Sequence, residues 1–157
     1  GVIVPDPEAA DTGAWSMPPL RGTPPGSGRS TGILRSVRTG RHEDYDRIVF
    51  EFSDHLPEYT IRYVQDPVAC GSGAPVDPGG AAGLEVDLRP AAAHDDEGNA
   101  TIAERTIRPG LPALRTARIT CDFEAVVTWV LGIDRRAPVR TLELDSPPRL
   151  VVDVRHR

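Results

Sequence analysis

The sequence predicts an all-β protein: a β-sandwich or flattened barrel of about 8–10 mostly antiparallel strands. Short runs of alternating apolar and polar residues recur along the chain, and turn residues separate them at a spacing of roughly 8–12 residues. Two of these runs echo each other, because residues 47–52 and 149–154 both read Arg, aliphatic, Val, apolar, acid, apolar. Each run has one apolar face and one mixed face. Two such strands, one early and one last, suggest two layers around a single core.

Nine strands are expected from this alternation, the weakest being 102–107. They are 33–38, 47–53, 59–65, 84–88, 102–107, 115–121, 126–133, 139–144 and 150–154. The apolar faces of the two echoing strands and the tryptophan of the seventh strand should form the core. These residues are Ile48, Phe50, Phe52, Leu150, Val152, Val154 and Trp129. Loops are expected at 39–46, 66–80 and 91–99, and no segment predicts more than one helical turn, at 109–114.

The first thirty residues differ in composition from the rest of the chain. They contain six of the 16 Pro and five of the 15 Gly. Such a segment buries too little apolar surface to offset its ordering entropy. We therefore expect a flexible linker at 1–30 and a single domain at 31–157. Trp15 and Met17 either dock on the domain or face solvent.

Composition narrows the classes of function. The net charge is -5 and the pI is about 5.3, so the basic surface that nucleic-acid binding requires is not expected. All 18 basic residues are Arg, whose planar guanidinium suits carboxylate ligands. No apolar run approaches the ~20 residues of a membrane-spanning helix. Contact with a membrane would require an N-terminal anchor outside this chain.

The two cysteines, Cys70 and Cys121, are 51 positions apart. A disulfide between them would fit an oxidising, exported context. Two unpaired buried thiols are the alternative. Two cysteines without a histidine at ligand spacing do not make a structural zinc site.

Several separate motifs, in the same order, resemble the AMIN-like domain family over about residues 32–156. The motifs are Val37-Arg38-Thr39-Gly40-Arg41-His42, Tyr45-Asp46-Arg47-Ile48-Val49-Phe50-Glu51-Phe52, Tyr63-Val64, Gly71-Ser72-Gly73, Pro90-Ala91-Ala92-Ala93-His94-Asp95, Asp122-Phe123-Glu124 and Pro148-Arg149-Leu150-Val151-Val152-Asp153-Val154. This resemblance implies a β-sandwich in exported proteins and lipoproteins of high-G+C bacteria. It also implies an extracellular or cell-envelope location, with or without a lipid anchor, and a wall-binding role. The two cysteines depart from the family pattern.

No catalytic constellation is evident in the sequence. Residues 94–99 concentrate oxygen ligands but lack the spacing of a calcium loop, so a solvated turn is the simpler interpretation. Residues 71–73 are too short for a nucleophile elbow or a phosphate loop. The acids and histidine of 42–46 occupy a hairpin tip, where polar residues are ordinary. We expect no enzyme activity, no cofactor and no metal.

The predicted function is a non-catalytic binding module for peptidoglycan or another wall glycan. Sugar rings stack on aromatic side chains, and arginine pairs with the carboxylates of stem peptides. The candidate ligand-binding residues are Arg38, Tyr45, Arg47, Tyr59 and Tyr63. An ion pair from Arg47 to Asp153 or Glu51 would instead make that arginine structural. The functional alternatives are an adaptor for another envelope protein and a wall-active hydrolase.

Overall fold

The computed structural model describes residues 13–157, and in these residues the chain forms eleven strands in two sheets. The strands are β1 (Leu20–Gly22), β2 (Gly32–Arg41), β3 (Tyr45–Phe52), β4 (Glu58–Val64), β5 (Ala82–Arg89), β6 (Ala91–Ala92), β7 (Thr106–Ile107), β8 (Leu114–Phe123), β9 (Val126–Ile133), β10 (Val139–Leu144) and β11 (Arg149–Arg155). One sheet has the order β1-β4-β5-β9-β8-β7, and the other has the order β10-β11-β3-β2-β6. Every pairing is antiparallel except that of β2 with β6. The predicted sandwich is confirmed.

The two echoing strands, β3 and β11, are neighbours in the five-stranded sheet. Their register places Leu150 opposite Phe50 and Val152 opposite Ile48, so the two apolar faces form one surface. All four side chains are buried, as the alternation predicts. The ring of Phe50 meets Trp129 of the opposite sheet edge-on, with 5.9 Å between ring centroids. This contact joins the two layers at the centre of the core.

Most strand boundaries lie within three residues of the predictions, and the predicted loop 39–46 is shorter than expected, because β2 runs to Arg41 and β3 begins at Tyr45. The predicted strands at 126–133 and 139–144 have the bounds that the structure gives them. Only Thr106–Ile107 of the predicted strand 102–107 pairs with β8. Ala91–Ala92 forms a short parallel strand where the sequence predicted a loop, because a two-residue strand is too short to show alternation. Among the described residues there is no helix with the length and apolarity to cross a membrane.

The N-terminal segment, which we define as residues 13–22, packs on the sandwich. Ser16 exchanges two backbone hydrogen bonds with Val139 of β10, at 3.0 and 2.8 Å. Leu20–Gly22 adds a strand beside β4. The segment therefore joins the outer strands of both sheets on one side of the sandwich. A Cβ at Gly22 would overlap the ring of Tyr59, so this close approach requires glycine.

Backbone pairing thus holds residue 16 and residues 20–22, which composition assigned to a flexible linker. Composition measures the apolar surface that a segment can bury, but it does not register edge pairing with a sheet formed elsewhere. Trp15 docks on the domain, whereas Met17 is half-exposed. The part of the linker prediction that concerns residues 1–12 lies outside the described residues.

Candidate functional site

The five predicted ligand-binding residues lie in two separate places. Arg38, Tyr45 and Arg47 belong to the outer face of the five-stranded sheet. The other two, Tyr59 and Tyr63, lie on β4 of the six-stranded sheet and point inward, as does Ile61 between them. The structure thus does not bring the five side chains into one site.

On the outer face of the five-stranded sheet, three charged side chains form a buried row across β3, β11 and β10. Arg47 donates to both carboxylate oxygens of Asp153, at 2.7 and 3.0 Å. Arg140 approaches the same carboxylate from the other side, at 3.1 and 2.9 Å. Asp153 is fully buried, and the two arginines are 4% and 5% exposed. The ion pair of Arg47 with Asp153, which the sequence offered as the structural alternative, is present.

Aromatic rings pack around this row. The guanidinium of Arg140 lies 4.3 Å from the ring centroid of Trp15 and 4.7 Å from that of Tyr45. Tyr45 also stacks on His42, with 4.5 Å between centroids. We call Trp15, Tyr45, Arg47, Arg140 and Asp153 the arginine–aromatic cluster. Tyr45 and Arg47 are buried within it, so their position favours a structural role over the predicted ligand contact.

Arg38 is the member of the predicted set that remains exposed. Its guanidinium donates to Glu51 at 3.0 Å and to Ser36 at 2.7 Å. Nearly half of its side chain faces solvent, so the ion pair is a surface pair of small energetic value.

Tyr59 is buried, and its hydroxyl donates to Glu143 of β10 at 2.5 Å. Burial, followed by this hydrogen bond, raises the pKa of Tyr59 to about 12. The phenol therefore links the two sheets and leaves its ring unavailable as a stacking platform. The sequence already indicated this burial, because Tyr59 alternates in phase with Ile61.

Tyr63 is the predicted aromatic residue that is only partly buried. Its hydroxyl donates to the carbonyl of Ala137 at 2.8 Å and accepts from the Ala137 N–H at 2.7 Å. Burial raises its pKa. The exposed guanidinium of Arg136 lies 5.3 Å from the ring centroid. The paired hydroxyl holds the ring in one orientation.

Beside this ring lies a groove of about 440 Å³, which we call the Tyr63 groove. Its walls come from the adjoining ends of β4 and β5, from the loop before β5 and from the loop that follows β9. The lining residues are Tyr63, Val64, Gln65, Pro78, Ala81, Ala82, Gly83 and Arg136. Sequence reasoning missed Arg136 and Gln65, because neither lies in a motif and the fold brings them together from distant parts of the chain.

The predicted disulfide between Cys70 and Cys121 is present, with 5.2 Å between the Cα atoms. It fastens the loop before β5 to β8. The hydroxyl of Thr116 fastens the same loop further along by donating to the carbonyl of Pro78 at 2.8 Å. The loop that supplies one wall of the Tyr63 groove is thus held at two points.

The acidic cluster at 94–99 forms hydrogen bonds with the backbone of its own loop. Asp95 accepts hydrogen bonds from the N–H groups of Glu97 and Asn99, at 3.0 and 2.9 Å, so its loop is a self-contained turn. The hydrogen bond from the Asn99 backbone, ahead of other contacts, lowers the pKa of Asp95. Across residues 13–157, no three His, Cys, Asp or Glu side chains are grouped in a way that could hold a metal ion.

Two histidines pair with buried aspartates. His94 Nδ1 lies 2.8 Å from Asp122 Oδ1, and His156 Nε2 lies 2.8 Å from Asp46 Oδ1. Asp122 also accepts a hydrogen bond from the Ala93 N–H. Asp46 accepts hydrogen bonds from the N–H groups of Ala113 and Leu114. In the described part of the chain, no hydroxyl or thiol is hydrogen-bonded to the His94 ring, so that pair lacks a nucleophile. The pair joins two of the motifs on which the family resemblance rests.

Comparison with known proteins agrees with the resemblance. The sequence model described as the AMIN-like domain matches residues 32–156. Neither the curated proteins nor the solved structures contain a match to the chain. The family suggests an envelope-associated module, and the intrachain disulfide is consistent with an extracellular location. Because this match covers most of the chain, the chain belongs to the AMIN-like domain family.

Proposed function

We propose that this domain is a non-catalytic binding module of the cell envelope, and that it holds peptidoglycan or another wall glycan in the Tyr63 groove. The observation that supports this most directly is the pairing of an oriented aromatic face with an exposed guanidinium at the rim of a groove of about 440 Å³. A wall glycan presents the matching groups, namely sugar rings and the carboxylates of its stem peptides.

The geometry suits this ligand class because the aromatic ring is positioned in advance. Both hydrogen bonds to Ala137 fix the plane of the Tyr63 ring, so a sugar that stacks on it immobilises little additional side chain. Arg136 is exposed, so its guanidinium has room to turn from the ring to a carboxylate. A charge-assisted pair of this kind fixes the orientation of the ligand in the groove.

A binding role is favoured over hydrolysis by the partners of the acidic and histidine side chains. The carboxylates of Asp46, Asp95, Asp122 and Asp153 accept hydrogen bonds from groups of the same chain. An enzyme that cleaves the wall would require a nucleophile next to a base, a metal set or a pair of available carboxylates.

Sedimentation with purified sacculi tests the proposal. Tyr63→Phe keeps the ring and removes the hydroxyl, whereas Tyr63→Leu removes the aromatic face as well. We expect the Phe variant, which keeps the aromatic face but loses the hydrogen bonds that fix it, to bind more weakly than wild type, and the Leu variant to bind more weakly still. Arg136→Gln should weaken binding about tenfold, the usual scale for one charge-assisted hydrogen bond. Arg108→Gln makes the same charge change at a distant exposed site and should leave binding unchanged.

Melting temperatures of all four variants identify losses that come from unfolding. An assay for soluble wall fragments released from the same sacculi should give the value that is measured without protein. Release of wall fragments by wild type would contradict the non-catalytic assignment. Equal binding by wild type, Tyr63→Leu and Arg136→Gln would contradict the assignment to this groove.

An adaptor for another envelope protein is the second candidate, and one observation favours it. Phe123, at the tip of the β8–β9 hairpin, is 61% exposed. Exposed aromatic residues are enriched where proteins meet. Failure of wild type to bind sacculi, together with loss of capture of an envelope protein on Phe123→Ser, would support the adaptor instead.

A further inference from the structure

A second pocket lies on the outer face of the six-stranded sheet, at the end of β4 opposite the Tyr63 groove. We call it the Arg21 pocket, and its volume is about 190 Å³. Its walls are β1, the start of β4 and the end of β5. Because β4 is seven residues long, the two pockets lie roughly 20 Å apart, at ~3.3 Å per residue of strand.

The sheet register arranges charges of both signs around this pocket. Arg21 of β1 is opposite Thr60 of β4, which is opposite Asp87 of β5. Two residues along, Glu58 of β4 is opposite Arg89 of β5. Side chains two residues apart on a strand share a face, so the four charged groups project to the same side of the sheet.

Two of these four charges already neutralise each other. Arg89 donates to both carboxylate oxygens of Asp87, at 2.6 and 3.1 Å. The hydroxyl of Thr128 donates to the same carboxylate at 3.2 Å. This pair is fixed on one wall of the pocket.

The other two charges, those of Arg21 and Glu58, are exposed to solvent. Across the described residues, neither Arg21 nor Glu58 forms a side-chain hydrogen bond or an ion pair. They line the same pocket from neighbouring strands, and no ion pair joins them. A cation and an anion that share a pocket without touching leave room for a ligand group between them.

We propose that the Arg21 pocket binds a zwitterion, a small group carrying an ammonium and a carboxylate a few bonds apart. The carboxylate would face Arg21, and the ammonium would face Glu58. A free amino acid and the end of a peptide present this same chemistry. The pocket is separate from the Tyr63 groove, so the proposal does not depend on the wall-glycan assignment.

Nuclear magnetic resonance titration with alanine and with alanylalanine tests this site. We expect saturable shifts of the backbone amide signals of Arg21, Glu58 and Arg89. Acetylation of the amine and amidation of the carboxylate, each tested alone, should weaken binding about tenfold, because each removes one charge-assisted contact. Tighter binding of alanine than of alanylalanine would assign the ligand as a free amino acid, and the reverse would assign it as a peptide end.

Arg21→Gln and Glu58→Gln should each weaken binding by a similar factor. Both residues are exposed, so the variants should fold, and their melting temperatures verify this. Arg62→Gln is the matched control, because Arg62 lies on the same face of β4 and is paired with Glu85. The proposal is overturned if wild type gives no saturable shift, if the blocked compounds bind as well as the free ones, or if the shifts lie at the Tyr63 groove.

Discussion

Arginines pair with carboxylates on the outer faces of both sheets, but the extent of their burial differs. On the five-stranded sheet, Arg47 and Arg140 meet Asp153 in a row whose side chains are at most 5% exposed. On the six-stranded sheet, Arg62 and Arg89 pair with acids while their own side chains are 59% and 63% exposed. Both groups consist of arginines beside carboxylates, and burial is the difference between them. The exposed pair of Arg38 with Glu51 on the five-stranded sheet resembles the second group.

Burial determines what such a pair can do. A buried carboxylate that loses its partner remains as an uncompensated charge in a low-dielectric environment, so the pair resists exchange. An exposed pair gains little over its hydrated parts, and a ligand can replace one partner at small cost. The arginine–aromatic cluster is therefore suited to a structural role, and the binding surfaces that we propose lie along β4 and β5.

The largest contrast should come from removing one acid on each face. Asp153→Asn leaves two buried arginines without their shared carboxylate and should lower the free energy of unfolding by about 3–5 kcal/mol. Glu85→Gln removes the acid of a pair whose arginine is exposed, and it should cost less than about 1 kcal/mol. Chemical denaturation measures both values. Similar losses for the two variants would remove the distinction between the faces.

The disulfide, which fastens a loop to the six-stranded sheet, should have the next largest effect on stability. Replacing Cys70 and Cys121 together with Ala should cost about 2–4 kcal/mol, the usual range for a bridge closing a loop of this size. Denaturant midpoints of the double variant and of wild type with and without reductant provide the measurement. Two freely alkylated thiols in unreduced wild type would contradict the bridge.

Tyr59→Phe should have a smaller effect, of about 1 kcal/mol at neutral pH, because it removes one hydrogen bond between the sheets. The pKa of Tyr59 is raised from 10.0 to about 12 in the folded protein. The stabilisation is therefore complete below pH 10 and is lost as the pH rises through 12. The stability difference between wild type and the variant should narrow over that window. A constant difference from pH 9 to 12 would contradict the role assigned to the phenol.

Much of the fold could be predicted from the sequence, because alternation is a local property. It gave the bounds of β9 and β10 and the inner positions of Phe50 and Val152. The short strand β1 was missed because three residues show no period, and its position depends on an edge of β4 formed elsewhere.

The site was less predictable, because side-chain roles depended on partners distant in sequence. Alternation placed Arg47 on the outer face of its sheet, but it could not indicate that Trp15 and Arg140 would pack there too. For Tyr59 the alternation itself indicated burial. No feature of the sequence indicated a site role for Arg136, since its position depends on the contact between the residues after β9 and the end of β4.

Chemical-shift mapping with soluble peptidoglycan fragments tests most directly whether binding lies on the β4–β5 side of the sandwich. We predict saturable shifts of the backbone amides of Tyr63, Gln65, Gly83 and Arg136, with little change on the outer face of the five-stranded sheet. Shifts concentrated instead at Arg38, Tyr45 and Arg47 would contradict the account and place binding on the outer face of the five-stranded sheet.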